Sequence, residues 1–108
     1  MDKVALAHLS SHSVIRQVVD EIVALLAPER VYLYSQKLNC QGEVTSFKLC
    51  VVGDFADKQK ARQSVYWEVD SQLPFDVLLY TSQEWEELCE HPDMFARQIK
   101  NTGTIVYE

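Results

Sequence analysis

The side chains that could do chemistry in this chain are few and widely spaced. Its three cysteines, Cys40, Cys50 and Cys89, include no Cys-x-x-Cys pair, which predicts free thiols of a reducing compartment. His8 and His12 have the i, i+4 spacing that can hold a metal ion on a helix. No Cys or carboxylate nearby completes a ligand set, so the sequence predicts ordinary surface histidines and no metal site.

The composition limits the classes of function. The chain has 108 residues and a net charge of −6, which predicts a single domain over residues 1–108, with residues 1–12 as a frayed N-terminal segment. The acidic balance argues against nonspecific binding of duplex nucleic acid, because neutralising the phosphates requires a positive face. No apolar run approaches a membrane span, and the N-terminus lacks the apolar stretch of a signal peptide. We therefore expect a cytoplasmic protein without membrane or nucleic-acid partners.

Apolar residues recur at helical spacing in the N-terminal part of the chain and stop before Pro28. This pattern predicts an amphipathic helix, because one apolar stripe then faces the core. The stripe consists of Val14, Ile15, Val18, Val19, Ile22, Leu25 and Leu26. Three serines are candidate caps for its first turn: Ser10, Ser11 and Ser13.

Two strands are predicted next, at residues 30–34 and 44–52. The first is short and rich in aromatic and β-branched residues, and a polar loop follows it. The second alternates, since successive side chains of a strand point to opposite faces. Alternation assigns one face to Phe47, Leu49 and Val51, and the other face to Ser46, Lys48 and Cys50.

The sequence next predicts a helix over residues 57–70 and a third strand over residues 75–80. Ala61, Val65 and Val69 lie at i, i+4 and i+8 of that helix. The connection between the second and third strands is long and helical, as a crossover between parallel strands requires.

The last third of the chain is predicted to be mostly helical. Thr81 and Glu84 fit a capping box at the start of one helix. Pro92 suits the first turn of a second helix, and Gly103 suits its end. Residues 104–107 predict a final strand. The resulting order α-β-β-α-β-α-α-β predicts a small mixed α/β (α+β) sheet with helices packed on it.

Three stretches carry a resemblance to a known family: residues 30–37 (RVYLYSQK), 45–54 (TSFKLCVVGD) and 73–80 (LPFDVLLY). In element order and hydrophobic pattern, residues 13–108 resemble the minimal nucleotidyltransferases of the DNA polymerase beta superfamily. The resemblance implies a fold similar to the polymerase beta palm.

The resemblance also indicates where the functional residues of the family would fall. The family has a Gly-Ser turn after its first strand, an Asp-x-Asp pair on the second strand and a third carboxylate on a later strand. The Gly-Ser position falls on Ser35 and Gln36, which with Lys37 become the candidate nucleotide-binding residues. The Asp-x-Asp positions fall on Ser46 and Lys48, and Asp76 stands at the third carboxylate.

These substitutions matter because nucleotidyl transfer relies on Mg²⁺ held by carboxylate oxygens. A hydroxyl is a weak ligand and an ammonium group cannot bind a cation. The sequence therefore predicts a catalytically inactive domain without a metal cofactor, with Asp76 as its one retained candidate ligand. We expect Lys48 and Asp76 to form an internal ion pair in place of the metal; the alternative is that Lys48 points to solvent.

Large aromatic side chains can either fill the core or form an interface with a partner. The sequence leaves both roles open for Tyr66, Trp67, Trp85 and Phe95. Small nucleotidyltransferases of the resembling type work beside a helical partner of the HEPN type in toxin–antitoxin pairs. The resemblance therefore implies such a partner, or a homodimer, and weak nucleotide binding.

Three functions follow from the sequence. The first is an inactive nucleotidyltransferase-like module for binding or regulation. The second is an active Mg²⁺-dependent transferase that moves a nucleotide monophosphate to a protein or small molecule and recruits Glu43 or Asp54. The third is an unrelated small α/β interaction protein.

Overall fold

The computed structural model describes residues 3–108, with side chains described from Ser13 onward. It confirms the predicted order of helices and strands and the small mixed α/β architecture. The elements are α1 (Lys3–Leu26), β1 (Arg30–Leu38), β2 (Val44–Gly53), α2 (Lys58–Glu68), β3 (Phe75–Thr81), α3 (Ser82–Cys89), α4 (Phe95–Thr102) and β4 (Thr104–Tyr107). Over the described residues, no helix is long and apolar enough to cross a membrane.

The four strands form one mixed sheet in the order β3-β2-β1-β4. β1 is antiparallel to both β2 and β4, while β2 and β3 run parallel. The helix between these parallel strands, α2, is the predicted crossover. Because the crossover brings β3 back beside β2, Lys48 and Asp76 become direct neighbours across the two strands.

One face of the sheet packs against α1 and α2. The alternation predicted for β2 is confirmed: Phe47, Leu49 and Val51 are all buried on this face. They meet Val18 and Ile22 of α1, both fully buried. This layer exists because the helical and strand periodicities each place their apolar residues on one side.

The opposite face packs against α3 and α4 in a layer that we call the aromatic layer. Its buried members are Tyr32, Cys50, Val52, Trp85, Cys89, Ala96 and Ile99. The predicted capping box begins α3: Glu84 N–H donates to the Thr81 hydroxyl, and Thr81 N–H donates to the Glu84 carboxylate. The cap orients α3 so that Trp85 faces the sheet.

Three predicted boundaries are wrong for local reasons. β1 continues to Leu38 because the polar half of β2 pairs with it, and the turn follows at residues 39–43. Pro92 lies in a turn closed by the hydrogen bond from Met94 N–H to the His91 carbonyl, so α4 begins later. Ser13 lies inside α1 rather than at its start. The side chains of residues 1–12, including the other candidate caps, lie outside the described residues.

Candidate functional site

Ser46, Lys48 and Asp76 stand where the resembling family has its metal-binding carboxylates. They lie at one end of the sheet, on the same face as the aromatic layer. Lys48 on β2 stands directly beside Asp76 on β3 in the parallel register. Both side chains are exposed, and Ser46, two residues before Lys48, is half-buried on the same face. Helices α3 and α4 cover the other half of this face and leave these residues open to water.

The three predicted nucleotide-binding residues do not form a turn. They lie in the continuous strand β1, after a register shift between Leu33 and Ser35. Ser35 pairs with Lys48, so the two share a face. Gln36 instead pairs with the buried Phe47 and lies on the opposite face. The structure therefore separates Gln36 from the other two.

Lys37 lies on the same face as Ser35 and Lys48, because it pairs with Ser46 across the antiparallel strands. We call the resulting open surface the polar shelf. It consists of Ser35, Lys37, Ser46, Lys48 and Asp76. Its charged groups are two lysines and one aspartate, so the shelf is basic although the whole chain has a net charge of −6.

An aromatic border separates the polar shelf from the aromatic layer. Tyr34, at the register shift, packs edge-to-face on Phe95 with ring centroids 5.5 Å apart. Burial raises the pKa of the Tyr34 hydroxyl above its ordinary value, and the neighbouring Cys50 and Asp76 raise it further. Tyr34 thus stays protonated at neutral pH beside the shelf. Sequence reasoning missed this role, because the shift that turns Tyr34 toward α4 depends on strand pairing.

The predicted ion pair between Lys48 and Asp76 is wrong. Across residues 13–108 the ion pairs within 4.0 Å are Arg16–Asp20 and Lys58–Glu84, and Lys48–Asp76 is not among them. The two residues are in register but exposed, where water screens the attraction and the side chains lose entropy on pairing. The alternative, that Lys48 points to solvent, is confirmed.

The residues of the polar shelf do not fit a divalent cation. Mg²⁺ takes several oxygen ligands, whereas the shelf offers one carboxylate between ammonium groups. Within the described part of the chain, no three His, Cys, Asp or Glu residues are grouped to hold a metal. Glu43 and Asp54 lie about 16 and 20 Å from Lys48 along the strand direction, at ~3.3 Å per residue. Neither is positioned to replace the missing pair.

A second charged contact, which the sequence did not indicate, joins α2 to α3. Lys58 Nζ lies 2.9 Å from Glu84 Oε1. The backbone hydrogen bond from Thr81 N–H lowers the pKa of Glu84, and the hydrogen bond from Lys58 lowers it further. Glu84 therefore closes the capping box and also ties together two helices on opposite faces of the sheet. Only the tertiary structure brings Lys58 to this carboxylate.

Comparison of the chain with protein-family models, with curated proteins and with solved structures finds no match. The residues of the site present an open, basic shelf bordered by Tyr34 and Phe95 at the end of a mixed sheet. Such a surface can bind an anionic or polar group.

Proposed function

We propose that this chain is a nucleotidyltransferase-like domain that has lost catalysis and acts as a binding or regulatory module. Its partner would be a helical protein of the HEPN type or a second copy of the chain. Two features support the proposal. The order of elements agrees with the resemblance, and the strand with Asp76 lies beside the strand with Ser46 and Lys48.

The observation that carries the proposal is the position of Lys48 directly beside Asp76. In a working transferase these neighbouring strands would aim carboxylates at a shared metal ion, since Mg²⁺ neutralises the charge that develops on the transferred phosphate. Here the residue beside Asp76 is Lys48, so the position of a second carboxylate carries a cationic residue, which disfavours a divalent cation. A domain with this arrangement recognises its ligand or partner without transferring a nucleotide.

Restoring one carboxylate tests this account of the site. We expect Lys48→Asp to bind Mg²⁺ in the millimolar range, because two carboxylates then stand side by side, while the wild-type protein shows no binding heat in the same titration. Isothermal titration calorimetry measures the difference. Lys60→Asp, on the exposed face of α2, is the matched control because it changes the net charge equally but lies away from the polar shelf.

Equal Mg²⁺ binding by the Lys48→Asp and Lys60→Asp proteins would contradict the assignment of the site. A second measurement addresses catalysis: the wild-type chain is incubated with radiolabelled ATP, Mg²⁺ and candidate acceptors. We expect no Mg²⁺-dependent label on any acceptor. Transfer of label by the wild-type chain would overturn the proposal in favour of an active transferase.

A further inference from the structure

The two tryptophans have opposite environments. Trp85 of α3 is 4% exposed and packs between Tyr32 and Tyr80. Trp67 of α2 is 86% exposed. The core therefore contains one tryptophan, whereas most of the large apolar surface of the other lies in water. Exposed tryptophans are the side chains that most often anchor protein interfaces.

Trp67 belongs to a stripe on the outward face of α2. Val65 is fully buried, and the residues on the opposite side of the helix are Lys60, Gln63 and Trp67, all exposed. Their spacing of three and four residues places them one above another along the helix. The stripe therefore presents a cation at one end and an aromatic ring at the other.

An open groove between α1 and α2 lies beside this stripe. Its volume is about 290 Å³, and its lining consists of Glu21, Ala24, Leu25, Glu68 and Val69. Two carboxylates rim an apolar floor, which is the environment that suits a lysine side chain: the aliphatic stem packs on the floor and the ammonium meets the carboxylates. Among residues 13–108, neither Glu21 nor Glu68 has an ion-pair partner within 4.0 Å.

The two ends of α2 carry opposite charges, so two copies of this helix are complementary when they pack antiparallel. On the outward side, Lys60 lies in the first half of the helix and Glu68 is its last residue, both exposed. Lys58 and Arg62 lie on other sides, where Lys58 pairs with Glu84 and Arg62 lies over the Tyr66 ring. If two α2 helices pack antiparallel about a two-fold axis near Ser64, residue 60 of each copy lies opposite residue 68 of the other. Lys60 of each helix then meets Glu68 of its mate.

We propose that the outward face of α2 is a self-association surface that binds a second copy of this chain in an antiparallel, two-fold arrangement. Lys60 of each copy enters the groove of the other between Glu21 and Glu68, and Trp67 covers the stem of that lysine. The contact is isologous, because each copy supplies both the lysine and the groove. This inference rests on the second-copy partner of the proposed function, but the surface lies apart from the polar shelf, so failure of the dimer would leave the Mg²⁺ test of the shelf unaffected.

The size of this surface sets the affinity that we expect for the dimer. α2 has 11 residues, so it is about 16 Å long at 1.5 Å per residue. One helix pair of that length, with two tryptophans, buries less than the ~1,200 Å² typical of stable interfaces. We therefore expect a weak dimer with a dissociation constant in the micromolar range.

Sedimentation velocity over a concentration series tests the dimer, with the full chain at concentrations from about 1 μM to 1 mM. We expect the wild-type chain to shift from monomer to dimer across this range. Trp67→Ala should raise the dissociation constant at least about tenfold, because hot-spot aromatics contribute this much or more. Since Trp67 lies outside the core, its variant should keep the wild-type circular dichroism spectrum and melting temperature.

A charge exchange tests the proposed geometry. Lys60→Glu and Glu68→Lys should each weaken the dimer about fivefold or more, because each places like charges in contact. A mixture of the two variants should associate nearly as well as the wild-type chain, because opposite charges again meet at both contacts. Lys100→Glu, exposed on α4 and outside both α2 and the polar shelf, is the matched control and should leave the dissociation constant unchanged.

A chain that stays monomeric at 1 mM would overturn the proposal and leave the stripe to a different partner. A dimer that Trp67→Ala does not weaken would also overturn it. Failure of the mixed variants to associate, with both single variants weakened, would contradict the antiparallel arrangement.

Discussion

Cys50 and Cys89 illustrate how environment decides the chemistry of a single residue. Both are buried in the aromatic layer, whereas Cys40 is exposed in the turn after β1. Burial raises the pKa of the Cys50 thiol to about 12, and the neighbouring Cys89 contributes to the increase. Burial also raises the pKa of Cys89, although Lys100 and Arg97 nearby oppose the shift. The thiols of the layer are therefore structural.

Burial should decide which of the three thiols reacts in the native chain. At pH 8 we expect Ellman's reagent to modify one thiol of the native chain rapidly, because the thiolate is the reactive form and only Cys40 is accessible. All three thiols should react once the chain is unfolded in guanidinium chloride. Cys40→Ser should abolish the rapid phase; a rapid phase that persists in this variant would show that the aromatic layer is open.

The edge strand β3 shows how one element depends on side chains from others. Its Val77 N–H donates to the Tyr66 hydroxyl of α2 at 3.1 Å, and its Thr81 N–H donates to Glu84 of α3 at 2.9 Å. The Tyr66 ring also packs on Phe75, with centroids 5.8 Å apart. An uncovered edge offers backbone groups to other chains, so these contacts protect the sheet from unwanted pairing.

Tyr66→Phe tests this protection. The variant retains the ring but removes the acceptor of the Val77 N–H, so we expect faster hydrogen exchange at the Val77 amide and a loss of about 1 kcal/mol in the free energy of unfolding. Exchange followed by NMR measures the first effect, and chemical denaturation measures the second. Tyr34→Phe removes a hydroxyl from a tyrosine of β1, on the face of the sheet opposite α2, and should leave the Val77 amide unchanged. Unaltered exchange in the Tyr66→Phe chain would mean that water already reaches this amide.

At the scale of the whole molecule, one sheet supports two separate apolar layers. Val51 faces α1 and α2, while its neighbours Cys50 and Val52 face α3 and α4. Because both layers share the same backbone hydrogen bonds, loss of either layer should release the sheet. We therefore expect the chain to unfold in a single transition.

Ile22→Ala in α1 tests whether the two apolar layers unfold together. Ile22 is fully buried, so its truncation should lower the free energy of unfolding by about 2–5 kcal/mol. In a Trp67→Phe background, the remaining fluorescence comes from Trp85 in the opposite layer, and its transition should shift together with far-UV circular dichroism. Gln17→Ala, exposed on the same helix, is the control and should have little effect. Two separate transitions would refute a single cooperative unit.

Spacing along the chain was enough to predict the local features of the fold. The faces of β2, the crossover helix and the capping box of Thr81 and Glu84 follow from spacing along the chain. Helical and strand periodicities depend on neighbouring residues, so a single sequence contains them. The resemblance also located the residues that form most of the polar shelf, although it placed Ser35 and Gln36 in a turn.

Which of these residues come into contact depends on how the strands and helices pack. Strand pairing extended β1, moved Gln36 to the opposite face and left Lys48 beside Asp76 without an ion pair. Packing also buried Trp85 and left Trp67 in water. These outcomes depend on contacts between residues far apart in the chain and on competition with solvent. The physical reason is that register and burial are properties of the assembled sheet and its helices, which local spacing does not encode.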